Sequence, residues 1–519
     1  RQVARLTTTT PHSPMSADPR AACIIGVARH TWHPDDFVVV ANDGVAPEPL
    51  DMWERVVRAA AADAGGRVSG ALDELEGMDV VYSQSWQYDD AVQRLSERLG
   101  GAPTRRRYSG IGGSVPHVLA VEAAQAIRAG DLDFSLLVGA EALATVRRLK
   151  KAGERPAWSF RPEEKRPFPM EMQFDPSEIS HSVFEAYLTF ALFDNARRAN
   201  LGRRQDEHRA ADGRVMAAMT AVAAAQPEHA WFPVARSADE VSLATADNRM
   251  VAYPYTKLMT SIMDVDMAAA VLLASAERAD SLGVPEERRV YLRGWGYAEE
   301  PEHVAGHAHL WHSPAMAAAA GAALSGAGIG VDDVAHLDLY SCFASSVCFA
   351  LDALGIGESD TRAAAVTVTG GLPYHGGPGS NYMTHSLAAM TERLRGDPGS
   401  HGVVSGVGMH MQKHAYGVWS TDHGAGVVTD PAPYAAVETP VGIVGSPAGA
   451  ATVATYSVLH GRDGEPERAL LICDLPEGGR CYAFLEGGPA VLSAVEEDEL
   501  IGRAVRLTPK DQVNWAALD

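Results

Sequence analysis

His375 stands in a glycine-rich run, Gly370-Gly371-Leu372-Pro373-Tyr374-His375-Gly376-Gly377-Pro378, that opens onto a helical stretch from Asn381 to about Leu394. Glycine lets a substrate come close to the backbone, and an imidazole exchanges a proton near neutral pH. A helix start adds unpaired N–H groups and a positive dipole end, both of which favour negative charge. The same plan occurs far upstream. Gly112-Gly113-Ser114-Val115-Pro116 opens an Ala-rich helical run through Ile127, followed by a turn at Gly130 and an apolar strand from Phe134 to Val138 ending at Gly139. After the downstream helix come a turn from Gly396 to Gly399 and a strand from Gly402 to Ser405 ending at Gly406. The chain reads as a duplication that aims two helix N-termini into one cleft, a scaffold for oxyanion or thioester chemistry. Gly113, Ser114, Gly376, Gly377 and Asn381 are its substrate-binding positions, although N-capping accounts equally well for Ser114 and Asn381.

Other residues fit acid–base work in such a cleft. Tyr340 ends an apolar strand and carries a phenol able to donate a hydrogen bond to a carbonyl or act as an acid. Cys342 follows two residues later, and its bland alternative is a small buried hydrophobe. His410 and His414 flank the end of the strand after Gly402, while His375 is the best-placed base. His117, one turn into the first helix, fits packing. These histidines form no compact ligand set on one element, so no metal is expected.

The same residues carry a resemblance. The run from Gly113 to Gly130 is similar to the nucleophile helix of the thiolase superfamily, and the Gly370 block to the glycine-rich loop near its second active-site helix. Leu339-Tyr340-Ser341-Cys342-Phe343 sits where the sterol-carrier-protein branch has His-Asp-Cys-Phe, and Asp266 to Ala270 resembles its Asp-Gly-Ala-Ala-Ala. Together these span residues 21–425. The match extends to a thiolase-like group of actinobacterial proteins, usually labelled acetyl-CoA acetyltransferase, that adds a small C-terminal β-domain. The resemblance implies a layered αβαβα fold, an inserted cap and a coenzyme A thioester as substrate, with no bound cofactor. The departures bear on mechanism. Gly113 stands where a thiolase has its acyl-accepting Cys, Gly376-Gly377-Pro378 stands for Gly-His-Pro, and Val407-Gly408-Met409-His410 stands where the second Cys is expected. A glycine carries no acyl group, so an ordinary acyl-enzyme is not expected.

Composition excludes other classes. A net charge of −22 over 519 residues argues against nucleic acid, whose phosphates are met by Lys and Arg. The clusters Arg105-Arg106-Arg107 and Arg147-Arg148 with Lys150-Lys151 remain candidates for the phosphates of a nucleotide-bearing substrate, or are solvated faces. The five cysteines show no metal-type spacing, and their odd number without a secretory signal fits a cytoplasmic protein. No apolar run approaches a membrane span.

Strands alternate with helices from Ala21 onward, which predicts an α/β body with a largely parallel sheet. The helices include Pro49 to Ala64, and His181 to Asn200 and Asp206 to Ala225 in an irregular region. The organisation is a disordered leader over 1–20, with Met15 as a possible start, and an N-terminal thiolase half over 21–145. An inserted cap over 146–260 follows, then the return of the first half over 261–300 and the second half over 301–430. Prolines 431, 433 and 440 mark a linker, and 431–519 alternates as a separable five-stranded barrel of the OB type. Homodimerisation, or docking of a partner on the body or barrel, is open. Two functions stand: thioester carbon–carbon or acyl-transfer chemistry without a Cys-bound intermediate, and an acyl-CoA-binding scaffold. Some thiolase-like proteins without the nucleophile are aldol lyases with a Tyr at the Tyr340 place, beside an OB-containing partner. On the first reading His375→Ala removes turnover with little loss of stability, and His117→Ala does neither.

Overall fold

The computed structural model describes residues 18–170, 173–424 and 438–518. The expected leader through residue 17, Met15 included, and the linker prolines Pro431 and Pro433 lie outside the described residues.

Apolar runs become the strands of one nine-stranded sheet: β1 (Ala22–Thr31), β2 (Gly77–Val80), β3 (Arg105–Tyr108), β4 (Phe134–Ala142), β5 (Asp266–Ser275), β6 (Val290–Glu299), β7 (Val334–Asp338), β8 (His401–Gly408) and β9 (Lys413–Ser420). Their order is β3-β2-β4-β5-β1-β6-β9-β8-β7. The duplication is written in this topology. In the first half β2 runs parallel to β4, β4 antiparallel to β5, and β5 antiparallel to β1. In the second, β7 runs parallel to β8, β8 antiparallel to β9, and β9 antiparallel to β6. The halves join through a short antiparallel register, Cys23 with Tyr291 and Ile24 with Val290.

The expectation of a largely parallel sheet is therefore corrected. Among the described residues of this sheet, only β2–β3, β2–β4 and β7–β8 are parallel. The final strand of each half turns back beside its predecessor: β5 returns from the inserted region, and β9 follows β8 through a tight turn with Met409 and Met411 at positive φ. Such connections give antiparallel neighbours, whereas only crossover helices give parallel ones.

Helices fill three layers. α1 (Pro49–Ala64) and α2 (Ala91–Leu99) cover the outer face of the first half, where α1 buries Met52, Trp53, Val56, Val57, Ala60 and Ala61 at helical spacing. α3 (Val115–Ala129) lies between the half-sheets and touches strands of both. Its Ala-rich faces suit a middle layer, and Gly130 at φ 86° ends it in the left-handed conformation. The insert contributes α4 (Ala186–Asn200) and α5 (Gln205–Ala224). The helix expected from His181 starts only at Ala186, because Ser182 at φ 57° separates it from a short capped turn, Pro176–Ser180. α6 (Pro314–Ala327) and α7 (Ala344–Leu354) cover the second half, and α8 (Tyr382–Arg395) pairs with α3 in the middle layer. This is the αβαβα layering.

The last domain is a closed barrel of β10 (Gly449–His460), β11 (Pro466–Asp474), β12 (Arg480–Leu485), β13 (Ala504–Lys510) and β14 (Val513–Leu518), with helix α9 (Pro489–Glu497) between β12 and β13. The order β11-β12-β14-β13-β10 closes through β10–β11 pairing, so no long edge is left open. The turn between β13 and β14, Asp511-Gln512, takes positive φ at both residues without a glycine. The barrel is also bound to the insert. Asn195 Nδ2 donates to the Tyr456 carbonyl at 2.9 Å, Arg198 pairs with Glu499 at 2.6 Å, and Tyr482 donates to Glu178 at 2.8 Å. No helix among the described residues is long and apolar enough to cross a membrane.

Candidate functional site

The two glycine-rich units meet at the N-terminus of α3. The Gly112 N–H donates to Ser380 Oγ at 3.0 Å, so the second copy caps the turn of the first. Gly113 is a glycine for reasons of space: a side-chain carbon there would overlap the Tyr340 hydroxyl and the Val407 carbonyl. Tyr340 thus fills the place where a side chain of residue 113 would stand. It is fixed from behind, since its N–H donates to Ser405 Oγ at 3.0 Å and its carbonyl accepts from Ser346 Oγ at 2.8 Å. Burial, reinforced by Cys342, pushes its phenol well above the ordinary range, so the group is a standing O–H donor. Ser114 is buried and makes no side-chain cap. A cavity of about 270 Å³ opens beside Gly112, Ser114 and Val115, rimmed by Arg107, Glu122 and Lys413.

The other expected side chains are dispersed around this point. Cys342 turns its sulfur toward Ser346 Oγ, 3.6 Å away, and burial pushes the thiol up to about 12. It is no thiolate. His375 is fully buried with Nε2 3.2 Å from His385 Nδ1, and burial together with that neighbour holds it well below the usual imidazole range. The Tyr382 ring stands between it and Tyr340, with centroids 6.0 Å from His375 and 5.7 Å from Tyr340. His410 packs edge-on to Phe174, and His414 bonds the Met411 carbonyl at 3.1 Å. Burial lowers both to about 4. His117 packs on Trp419, as expected.

The second glycine unit is braced internally. Gly377 N–H donates to the Ile262 carbonyl at 2.8 Å, which removes it as an oxyanion donor. Gly376, at φ 109°, faces Met267 and Trp231. Asn381 accepts from Thr384 at 2.6 Å and occupies the space left by Gly139. Of the basic clusters, Arg105 and Arg107 are neutralised by Asp79 and Glu122, Arg106 by Asp90, and Arg147 by Asp264. Lys150 instead lines a groove of about 1110 Å³ with Arg155, Arg161 and Lys165.

Two carboxylates escaped the sequence reading. Glu141, at the end of β4, is fully buried against Gly379, and burial raises it to about 7 despite N–H bonds from Gln84 and Ser85 at 2.8 and 3.0 Å. Asp338, at the end of β7, accepts from Thr367 Oγ1 at 2.7 Å and from the amides of Val368 and Thr369 at 2.9 and 3.1 Å. It pins the chain just ahead of Gly370. Their only sequence signal is an acid in an otherwise apolar strand end.

No protein-family model matches this sequence, and no curated protein matches it. Solved structures do. A monomeric SCP2-thiolase-like protein type 1 from Mycobacterium smegmatis is 29% identical over 97% of this chain and 100% of its own, with a TM-score of 0.80. That overlap takes in the barrel as well as the body. An Ltp2-ChsH2(DUF35) aldolase matches at 15% identity over 78% of this chain and 98% of that one, TM-score 0.56. The dimeric peroxisomal thiolase of Saccharomyces cerevisiae matches at 15% over 78% and 99%, TM-score 0.56. The chain has a thiolase-like fold followed by a closed five-stranded β-barrel.

Proposed function

We propose that this thiolase-like chain acts on acyl-CoA thioesters by carbon–carbon chemistry of the Claisen or retro-aldol kind, with no acyl group resting on a cysteine. The observation that carries the reading is the Tyr340 hydroxyl in the space beside Gly113, at the N-terminus of α3. A neutral phenol there donates to a thioester oxygen as negative charge gathers on it, and the helix end adds its dipole. In the retro-aldol direction the β-hydroxyl proton leaves to water in the cleft, the Cα–Cβ bond breaks to release an aldehyde or ketone, and the enolate whose oxygen Tyr340 holds takes up a proton at Cα. A β-ketoacyl ester instead passes its acyl fragment to a CoA thiol supplied as co-substrate. The aldolase among the structural neighbours supports this direction. The groove of Lys150, Arg155, Arg161 and Lys165, which Glu154 and Glu163 also line, is the surface this reading offers to the phosphates of such a substrate.

The test is steady turnover of a panel of β-hydroxyacyl- and β-ketoacyl-CoA esters. Cleavage to a shorter acyl-CoA is expected, with Tyr340→Phe slower by ~10² or more, the usual effect of losing a positioned acid. Intact mass after incubation with acetyl-CoA should show no adduct, and a stoichiometric acetyl group on Cys342 would restore a thiolase mechanism with a moved nucleophile. A second reading, a non-catalytic acyl-CoA-binding protein, is favoured by the burial of His375, His410 and His414, which holds each toward its neutral form. Saturable binding without turnover across the panel selects it.

A further inference from the structure

The groove of about 1110 Å³ is built from two segments, the turn after β2 and the chain that follows β4. They are tied together at several points. Trp86 Nε1 donates to the Ser159 carbonyl at 2.9 Å, the Asp89 N–H to the Phe160 carbonyl at 2.9 Å, and Gln87 exchanges hydrogen bonds with the Arg166 backbone at 3.1 and 3.2 Å. A concavity of this size suits a cofactor-sized ligand. Its floor also reaches the reactive end of the molecule. Ser85, which lines the groove, donates to Glu141 at 2.7 Å, and Glu141 backs onto Gly379, beside the Ser380 that accepts from Gly112.

The chain carries a net charge of −22, yet this groove is cationic. Lys150, Arg155, Arg161, Lys165 and Arg166 line it, against two carboxylates among the described residues, Glu154 and Glu163. Unlike the arginines of β3, these cations are not spent on acids. Among the described residues Lys150, Arg155 and Lys165 pair with no carboxylate, Arg166 donates to the Asp89 carbonyl, and Arg161 lies over the Trp86 ring at 5.9 Å. Gathered like charges repel, and a bound anion removes that cost. The rest of the lining fits an aromatic base. Phe168, edge-on to Tyr82 at 5.9 Å, stays 48% exposed beside the cations, and bases stack on such rings. Gln84 gives its main-chain N–H to Glu141 at 2.8 Å, while its side-chain amide makes no hydrogen bond among the described residues. An amide that accepts and donates side by side matches the N6 and N7 edge of adenine.

We propose that this groove binds a phosphorylated adenosine, its phosphate groups on the unpaired cations, its base on the Trp86 and Phe168 rings and its edge read by Gln84. Arginine forks and lysine point charges are the usual partners of phosphate. Two sources supply this chemistry. One is the adenosine bisphosphate end of a CoA thioester, which rests on the function proposed above. The other is a free adenine nucleotide, which does not.

The experiment is calorimetric titration of the full-length protein with adenosine 3′,5′-bisphosphate, ADP, GDP and inorganic pyrophosphate. Saturable binding of at least one adenine nucleotide is expected, weaker by about tenfold or more in Lys150→Glu and in Arg155→Glu, in Phe168→Ala, and for GDP in place of ADP. Added salt should weaken it as well. All three substituted side chains are exposed, so the variants should keep the wild-type Tm. Failure of both adenine nucleotides to bind overturns the proposal, as does an affinity that survives both charge reversals. Pyrophosphate binding as tightly as the nucleotides, or GDP matching ADP, overturns the adenosine assignment. Competition sorts the sources: a bisphosphate that outbinds ADP and raises the KM for acyl-CoA marks the substrate's own nucleotide, and ADP that binds without changing that KM marks a free one. Binding is read without turnover. A chain that binds the nucleotide but cleaves no ester keeps this inference and loses the proposed function, whereas a chain that cleaves esters but binds no nucleotide loses this inference alone.

Discussion

At the scale of single residues, Gly113 and Tyr340 form one unit. The phenol occupies what a side chain at 113 would need, and the Val407 carbonyl closes the other side. Gly113→Ala is expected to cost about 1–3 kcal/mol by overpacking. In a Tyr340→Ala background most of that cost should vanish, which denaturant unfolding of the two single variants and the double variant measures as a coupling energy. A Gly113→Cys change alone should therefore fail to restore a thiolase nucleophile. Burial also changes the expectation for His375. With its side chain sealed against His385 and Tyr382, His375→Ala should leave a cavity and lower stability by about 2 kcal/mol or more, visible in the Tm before any activity is assayed.

At the scale of elements, the glycine loop is shaped by the strands beneath it. Asp338 gathers donors from Thr367, Val368, Thr369 and, through a short contact, Ser386 of α8. Asp338→Ala strands these donors in the interior, where each unmet group costs about 1–3 kcal/mol. Urea unfolding should show a loss of that order or larger. The helix α3 was legible because a Gly-Ser-Val-Pro start, an Ala-rich body and a Gly130 stop agree with one another, and α1 runs over the same Pro49–Ala64 that its spacing indicates.

At the scale of the molecule, buried histidines set the response to acid. Burial leads the lowering of His117, His229, His410 and His414 to about 4 and of His307 to about 3. Each is neutral in the folded protein, so its contribution is complete above pH 6.5 and is lost as pH falls toward 4. Glu141 and Asp266, raised by burial to about 7 and about 6, act in the opposite direction, weakening the fold as pH rises past their unfolded values. The histidines outnumber them. Stability should fall from pH 6.5 to 4.5, by about 1.4 kcal/mol per pH unit for each net proton, and His117→Asn should flatten the slope. The barrel's ties to the insert lead to a further expectation. Protease should cut first at the proline-marked linker between Pro431 and Pro440, yet the nicked halves should elute together, held by pairs such as Arg198–Glu499 and Tyr482–Glu178.

The sequence by itself determined the duplication, the middle helices and the barrel, because these rest on local signals: glycine stops and apolar periodicity. Tertiary structure alone decided which way the strands run and which side chains share a space. His375, Tyr340 and Cys342 stand close in the reading of the chain, but Tyr382 parts the first two and Ser346 draws the third aside. Side-chain direction depends on packing partners hundreds of residues away, as with Gly112 and Ser380, and that information is absent from any local window of the sequence.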